Sequence, residues 1–238
     1  TEESDKYLGQ IIHSGGVGRS AEATIEDRKG KIKGAAMEIK SIVETFQMQA
    51  MGGLETARVL WERALVPSLL SGAGTWIGDI TKAEEMADKI QEFYWRVIFK
   101  VPESCPKMAL RTEPSQLGMK WRIWMEKIFL LKRIKRQEEH SLCSQVYEEG
   151  KRMGWPGLGR EISEICKVLR IPDLNDVDMP TEDIKKAINY HHWKDVREKM
   201  ETSKKLQEIV ADDFAKPQPY FNHKSIENGR MAFQIRSK

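Results

Sequence analysis

Apolar side chains recur at helical steps along nearly the whole chain, and this limits what it can fold into more than any other feature. Ile25, Ile32, Ala36, Ile39, Val43 and Phe46 are spaced by three, four or seven residues, so they share one face of a long helix expected from Glu22 to Phe46. Gly52-Gly53 is expected to end it. A second run, with Leu54, Trp61, Leu65 and Leu69, meets Pro67, which kinks or ends a helix, and a glycine-rich loop follows over Ser71 to Gly78. Thr81 and Glu84 form a capping-box pattern ahead of Met86, Ile90, Phe93 and Val97, and Pro102 stops that helix. Leu117, Trp121, Trp124, Ile128 and Leu131 mark the buried stripe of another. Further helices are expected at about Glu138 to Met153, Arg160 to Leu169, Thr181 to Met200 and Ser203 to Phe214. They are separated by Gly154-Trp155-Pro156-Gly157 and by Ile171 to Pro180. Lys216-Pro217-Gln218-Pro219 reads as a linker before a last short helix capped by Ser225. Only Lys6 to Val17 departs from this pattern: Tyr7, Leu8, Ile11 and Ile12 precede Ser14-Gly15-Gly16, whose glycines suit a turn with positive φ. The expected fold is mainly α, a short N-terminal β-hairpin followed by a multi-helix array.

With 238 residues, 40% of them hydrophobic and 32% charged, such a chain buries a core, and disorder is excluded. No run of residues is apolar enough to span a membrane. The three cysteines, Cys105, Cys143 and Cys166, are odd in number and far apart, which argues against a disulfide framework or a CxxC zinc site and points to a reducing, intracellular location, nuclear or cytoplasmic. The chain opens on Thr1 with no signal-peptide pattern and is expected to be a piece of something longer. Its net charge is only +3, but Cys105 to Gln137 carries nine basic and two acidic residues, leaving the remainder at −4. On an ideal wheel of about 100° per residue, Arg122 and Arg133 lie within roughly 20° of each other, with Arg136 about 40° further round. Lys120 and Lys127 fall on the other flank, and Lys132 and Lys135 add to the charge. One concentrated basic segment on a near-neutral body suits a polyanion, nucleic acid more often than membrane headgroups.

Motifs of catalysis are weaker. Asp212-Asp213 invites a two-metal polymerase reading, but it follows Leu206, Ile209 and Val210 at helical spacing, which favours a solvated helix end. His191-His192 with Asp195 lacks a nearby third histidine or cysteine, so no metal is expected. Neither a GxGxxG nor a Walker loop, GxSxG or HExxH is present, and Ser14 to Gly18 is better read as a turn.

Several residues in order carry a resemblance. Lys6-Tyr7-Leu8-Gly9 with its hairpin and the long helix after it resemble the end of the palm and start of the thumb in reverse transcriptases of non-LTR retrotransposons. Val66-Pro67-Ser68-Leu69-Leu70-Ser71-Gly72 with Trp76 is similar to that family's V-x-P-x-L-L-Y-G-x-E-x-W, departing at Ser71 and Gly74. Phe93 to Ile98, Ala109-Leu110-Arg111-Thr112-Glu113 and Leu117-Gly118 resemble its next stretches. Tyr220 through Phe233 and Arg236 look like its last helix before a Cys/His zinc element. The resemblance implies a primer-grip hairpin over 1–20, a helical thumb over 21–102, a helical linker with the basic helix over 103–215, and a linker with a short helix over 216–238. It implies an RNA-directed DNA polymerase whose metal-binding aspartates would lie upstream. This segment alone is therefore expected to be inactive and to hold no cofactor, the Mg belonging to the full-length enzyme. Its partners would be an RNA:DNA or RNA duplex and the rest of the polymerase, with no membrane and no small-molecule substrate. The implied nucleic-acid contacts are Lys6, Tyr7, Leu8 and Gly9 in the hairpin and Arg28, Lys29, Lys31 and Lys33 on the first helix. Lys120, Arg122, Lys127, Lys132, Arg133, Lys135 and Arg136 on the basic helix complete the set. The rival readings are an α-helical scaffold or protein-interaction module using the Trp121 and Trp124 region, and a basic helix on a membrane surface.

Overall fold

The computed structural model describes residues 4–7, 9–45, 52–138, 140–154, 157–202, 216–222 and 226–236. The fold is mainly α, with one two-stranded antiparallel hairpin at the start. Strands β1 (Ser4–Tyr7) and β2 (Gln10–His13) pair Ser4 with His13 and Tyr7 with Gln10. The turn therefore falls at Gly9, with φ +77°, and not at Ser14-Gly15-Gly16. Gly16, at φ +97°, instead turns the chain from β2 into α1 (Val17–Thr45), which begins five residues before Glu22. Phe46, the expected end of that helix, lies outside the described residues, as do Leu8, Asp212-Asp213, the Ser203 to Phe214 helix and Ser225.

Gly52-Gly53 marks the start of the second helix, and residues 46–51, which separate it from Thr45, lie outside the described residues. Gly52 is the N-cap of α2 (Gly53–Leu60), so the pair opens a helix. α2 continues through a π-helical turn, Trp61–Leu65, into α3 (Val66–Leu70). Pro67 explains the π turn: it has no N–H to give and its ring crowds the carbonyl four residues back, and the wider turn just before it relieves that crowding. A short 3₁₀ turn, Ala73–Thr75, leads to α4 (Thr81–Phe99), where the Asp79 carboxylate accepts the Thr81 N–H at 3.1 Å. Then come α5 (Lys107–Thr112), α6 (Met119–Lys135), α7 (Leu142–Met153), α8 (Leu158–Leu169), α9 (Thr181–Glu201) and α10 (Ile226–Arg236).

The described residues fall into two compact units, each drawn from three separated stretches. In the first, from Thr1–Ile25, Leu70–Glu85 and Met119–His191, the hairpin is tied to α1: Thr24 Oγ1 accepts the Ile11 N–H at 2.9 Å, and Ser20 Oγ that of His13 at 2.9 Å. Buried Trp76 donates its indole N–H to Gln10 Oε1 at 3.1 Å. α6 packs on the 3₁₀ turn so closely that a Cβ on Gly74 would stand 2.8 Å from the Glu126 carbonyl oxygen, and only glycine fits there. α7 and α8 pack on the remaining length of α6.

The second unit, from Glu26–Leu69, Met86–Gly118 and His192–Lys238, has an aromatic core. Trp61 stacks on Tyr94 at 4.7 Å between centroids, and Phe99 stacks on Phe233 at 3.9 Å. Tyr94 donates its hydroxyl proton to the Ala57 carbonyl at 2.6 Å. The Lys216 to Pro219 stretch is a packed connection: the Gln218 N–H reaches the Glu113 carbonyl at 3.1 Å, and the Tyr220 hydroxyl meets the Glu113 carboxylate.

Candidate nucleic-acid interface

The structure divides the sequence-selected residues into outward and inward groups. Lys6 and Tyr7 are exposed on β1, Tyr7 by 65%, and Gly9 makes the turn beside them. On α1 Lys31 is exposed, whereas Lys29 is half-buried and pairs with Glu26 at 2.8 Å. Lys33 stands 4.9 Å over the Phe93 ring. Arg28 faces inward. It is buried and donates from Nη1 to the Leu69 carbonyl at 2.8 Å, and burial draws the guanidinium pKa down against the opposing pull of Asp27.

The basic helix α6 splits the same way. Its buried face is wider than the expected apolar stripe: Trp121, Ile128 and Leu131 are joined there by Met119, Arg122, Ile123 and Lys127, while Trp124 is half-buried. Arg122, Arg133 and Arg136 therefore do not form one solvent-facing flank, because Arg122 is buried while the other two are exposed. Lys127 is also buried and pairs with Glu161 at 2.5 Å. Lys132 reaches Asp178 at 2.7 Å and the Met179 carbonyl at 2.6 Å. Lys135 donates to the carbonyls of Leu174 and Asn175 at 2.7 and 2.8 Å. The Lys132 charge, through their hydrogen bond, is the main cause that holds the Asp178 carboxyl below its ordinary range. Lys120 remains outward, 4.7 Å from the Trp124 ring, an edge-on partner of Trp121.

The stretch receiving these lysines, Asp173 to Met179, escaped the sequence reading. The signal was Asp173, Asp176 and Asp178 in a segment read only as a break. Here Asp173 accepts from Ser163 at 2.5 Å, and Asn175 bridges Asp173, Ser163 and the Gly159 carbonyl, each at 2.8 Å. Burial pushes the Asp173 pKa up, but these hydrogen bonds together outweigh it and hold it down. Tyr147 donates to Asn175 Oδ1 at 2.5 Å, and burial pushes its phenol up to about 12, so it remains a donor at every physiological pH.

His192, considered above for a metal, is buried with Nε2 3.2 Å from the Gln116 carbonyl, and Asp195 pairs with Lys199 at 2.7 Å. Among the described residues no group of three His, Cys, Asp or Glu is placed to hold a metal ion, and no helix is long and apolar enough to cross a membrane. Set beside known proteins, the chain matches no family model, no curated protein and no solved structure.

Proposed function

We propose that this chain is the nucleic-acid-holding thumb and linker of a non-LTR retrotransposon reverse transcriptase, gripping the template-primer duplex through phosphate and sugar without reading sequence. The observation that carries the reading is the exposed hairpin edge with Lys6 and Tyr7, braced by Thr24 and Ser20 of the long helix that follows it. A grip on a primer needs a stiff support with its polar side chains outward, and this arrangement supplies one. The outward charges Lys120 and Arg133 of α6, with Arg136 just past its end, are the phosphate contacts; Lys132 and Lys135 serve the fold first.

Anisotropy of a labelled RNA:DNA hybrid across a salt series tests this. Binding should weaken steeply with salt, and Arg133→Gln with Arg136→Gln should reduce affinity evenly across sequences and lower the log-log slope by about 2. Salt-insensitive binding, or none, would defeat the proposal. On this reading the chain alone should extend no primer, since none of its residues corresponds to the family's metal-binding carboxylates.

A second reading, the helical scaffold, is favoured by one specific observation: Lys127, Lys132 and Lys135 are all engaged by acceptors of this same chain. Hybrid binding by the parent chain separates the two: the duplex-holding reading requires it and a scaffold shows none, whereas Lys132→Gln with Lys135→Gln lowers the melting temperature on either.

A further inference from the structure

A groove of about 920 Å³ opens between the end of α6, the length of α7 and the first turn of α8, wholly inside the first compact unit. Its floor is aliphatic, built from Leu130 and Ile134 of α6, Leu142 and Val146 of α7 and Leu158 of α8. It stays open because α7 is strongly amphipathic yet buries none of its residues, with Leu142 74% and Val146 60% exposed. A twelve-residue helix gains little from propensity and is held chiefly by covering its apolar face. Among the described residues that face lacks a cover.

The charges around the floor say what the cover should be. Among the described residues two carboxylates line the groove, and both are engaged: Asp176 by Lys151 at 2.7 Å, Asp173 by Ser163 and Asn175. The guanidiniums of Arg133 and Arg160, also lining it and exposed, make no hydrogen bond or ion pair among the described residues, although the charge of Arg133 acts on the Glu126 carboxyl. The free charge on this apolar surface is therefore positive.

We infer that the groove docks an amphipathic α-helix of a partner protein, its apolar face on Leu142 and Val146 and its acidic flanks against Arg133 and Arg160. The twelve residues of α7 offer about 18 Å, room for roughly three turns of such a helix. The floor chemistry favours a protein helix over nucleic acid. Bases stack on aromatic faces, and Tyr147, whose hydroxyl is tied to Asn175, is the one aromatic among the described lining residues. Phosphates laid along aliphatic carbon would lose hydration without compensation. This inference stands apart from the polymerase reading except at Arg133, for which a docked helix and a duplex would compete.

Cys143 provides a local reporter, since it lines the groove and is exposed while Cys105 and Cys166 are buried. The probe is a stapled fourteen-residue helix with leucines on one face and glutamates on its flanks. Added to the full chain, it should slow maleimide labelling of Cys143 at least tenfold. Its affinity, read by anisotropy, should fall at least tenfold with Val146→Glu and with Arg133→Glu plus Arg160→Glu. A lysine-flanked version should bind at least tenfold more weakly. All three substitutions are at exposed positions, and an unchanged melting temperature would verify folding. Failure to protect Cys143 overturns the inference, as does affinity indifferent to Val146→Glu, which would mean charge attraction alone. An RNA:DNA hybrid or phosphatidylserine vesicles protecting Cys143 as well as the helix does would overturn it too, in favour of a different occupant.

Discussion

Lys127 illustrates how a positive charge counted toward a binding surface can become part of a core. Its four-carbon stem is covered by α6 and its neighbours, and its ammonium meets Glu161, whose side chain is 22% exposed and also receives the Gly78 N–H. Removing one member of a pair this buried strands the other, so Lys127→Ala should destabilise the chain by about 3 kcal/mol in chemical denaturation. Replacing the pair together, Lys127→Met with Glu161→Gln, should recover most of that loss, because the pair's own net contribution is small. Equal losses in the single and double variants would show that packing, not charge, is at stake. Asp173 makes a pH-dependent claim. Its folded pKa lies below the ordinary 3.8, so its contribution is complete above that value and is lost as pH falls through the folded value. Acid should therefore loosen the Asp173 to Met179 stretch, and Asp173→Asn should flatten the stability profile below about pH 4 while leaving its shape near neutrality unchanged. Tyr147 fluorescence followed through an acid titration would report it.

Among the elements, α4 and α10 show where local pattern suffices and where it does not. The start of α4 at Thr81 and its end before Pro102 are written in neighbouring residues, and α8 and α9 are bounded the same way. Gly52-Gly53 marks a break, and the structure adds that Gly52 is the N-cap of the helix after it. The direction of Lys132 and Lys135 was not legible at all, since their acceptors come 39 to 47 residues later. Arg230 was missed for the same reason. It is 1% exposed and donates to the Ile98 carbonyl at 2.6 Å, to Glu227 at 2.7 Å and to Glu44 at 2.9 Å. Placing that cation on a carbonyl near the C-terminal end of α4 satisfies a helix terminus and fixes α10 there. The Glu44 carboxyl, though burial raises its pKa, is held below its ordinary range by Lys100 and Arg230. Arg230→Ala should cost about 3 kcal/mol and release α10 first, seen as faster hydrogen exchange over Ile226–Arg236 than over α4. Uniform exchange across both helices would instead mean that α10 does not open separately.

For the molecule as a whole, the decisive property is that neither unit is continuous in sequence. The first needs Met119–His191 to complete what Thr1–Ile25 and Leu70–Glu85 begin; the second needs His192–Lys238 to complete Glu26–Leu69 and Met86–Gly118. A boundary between residues 102 and 103 divides both. The fragment 1–102 retains Trp76 but lacks α6, against which Gly74 is fitted, and retains Phe99 but lacks Phe233, which stacks on it. Local helix propensity survives such a cut, whereas burial of the apolar faces does not, and short helices without that burial are marginal. The fragment 1–102 should therefore keep part of its far-ultraviolet helical signal, lose its near-ultraviolet tryptophan signal and melt without a cooperative transition. Fragment 103–238 should behave likewise. Mixing the two should restore a cooperative melt, since the missing halves of each core are then both present. A sharp transition in fragment 1–102 alone would show that a thumb-like piece folds by itself and that the interleaving of the two units is not what stabilises this chain.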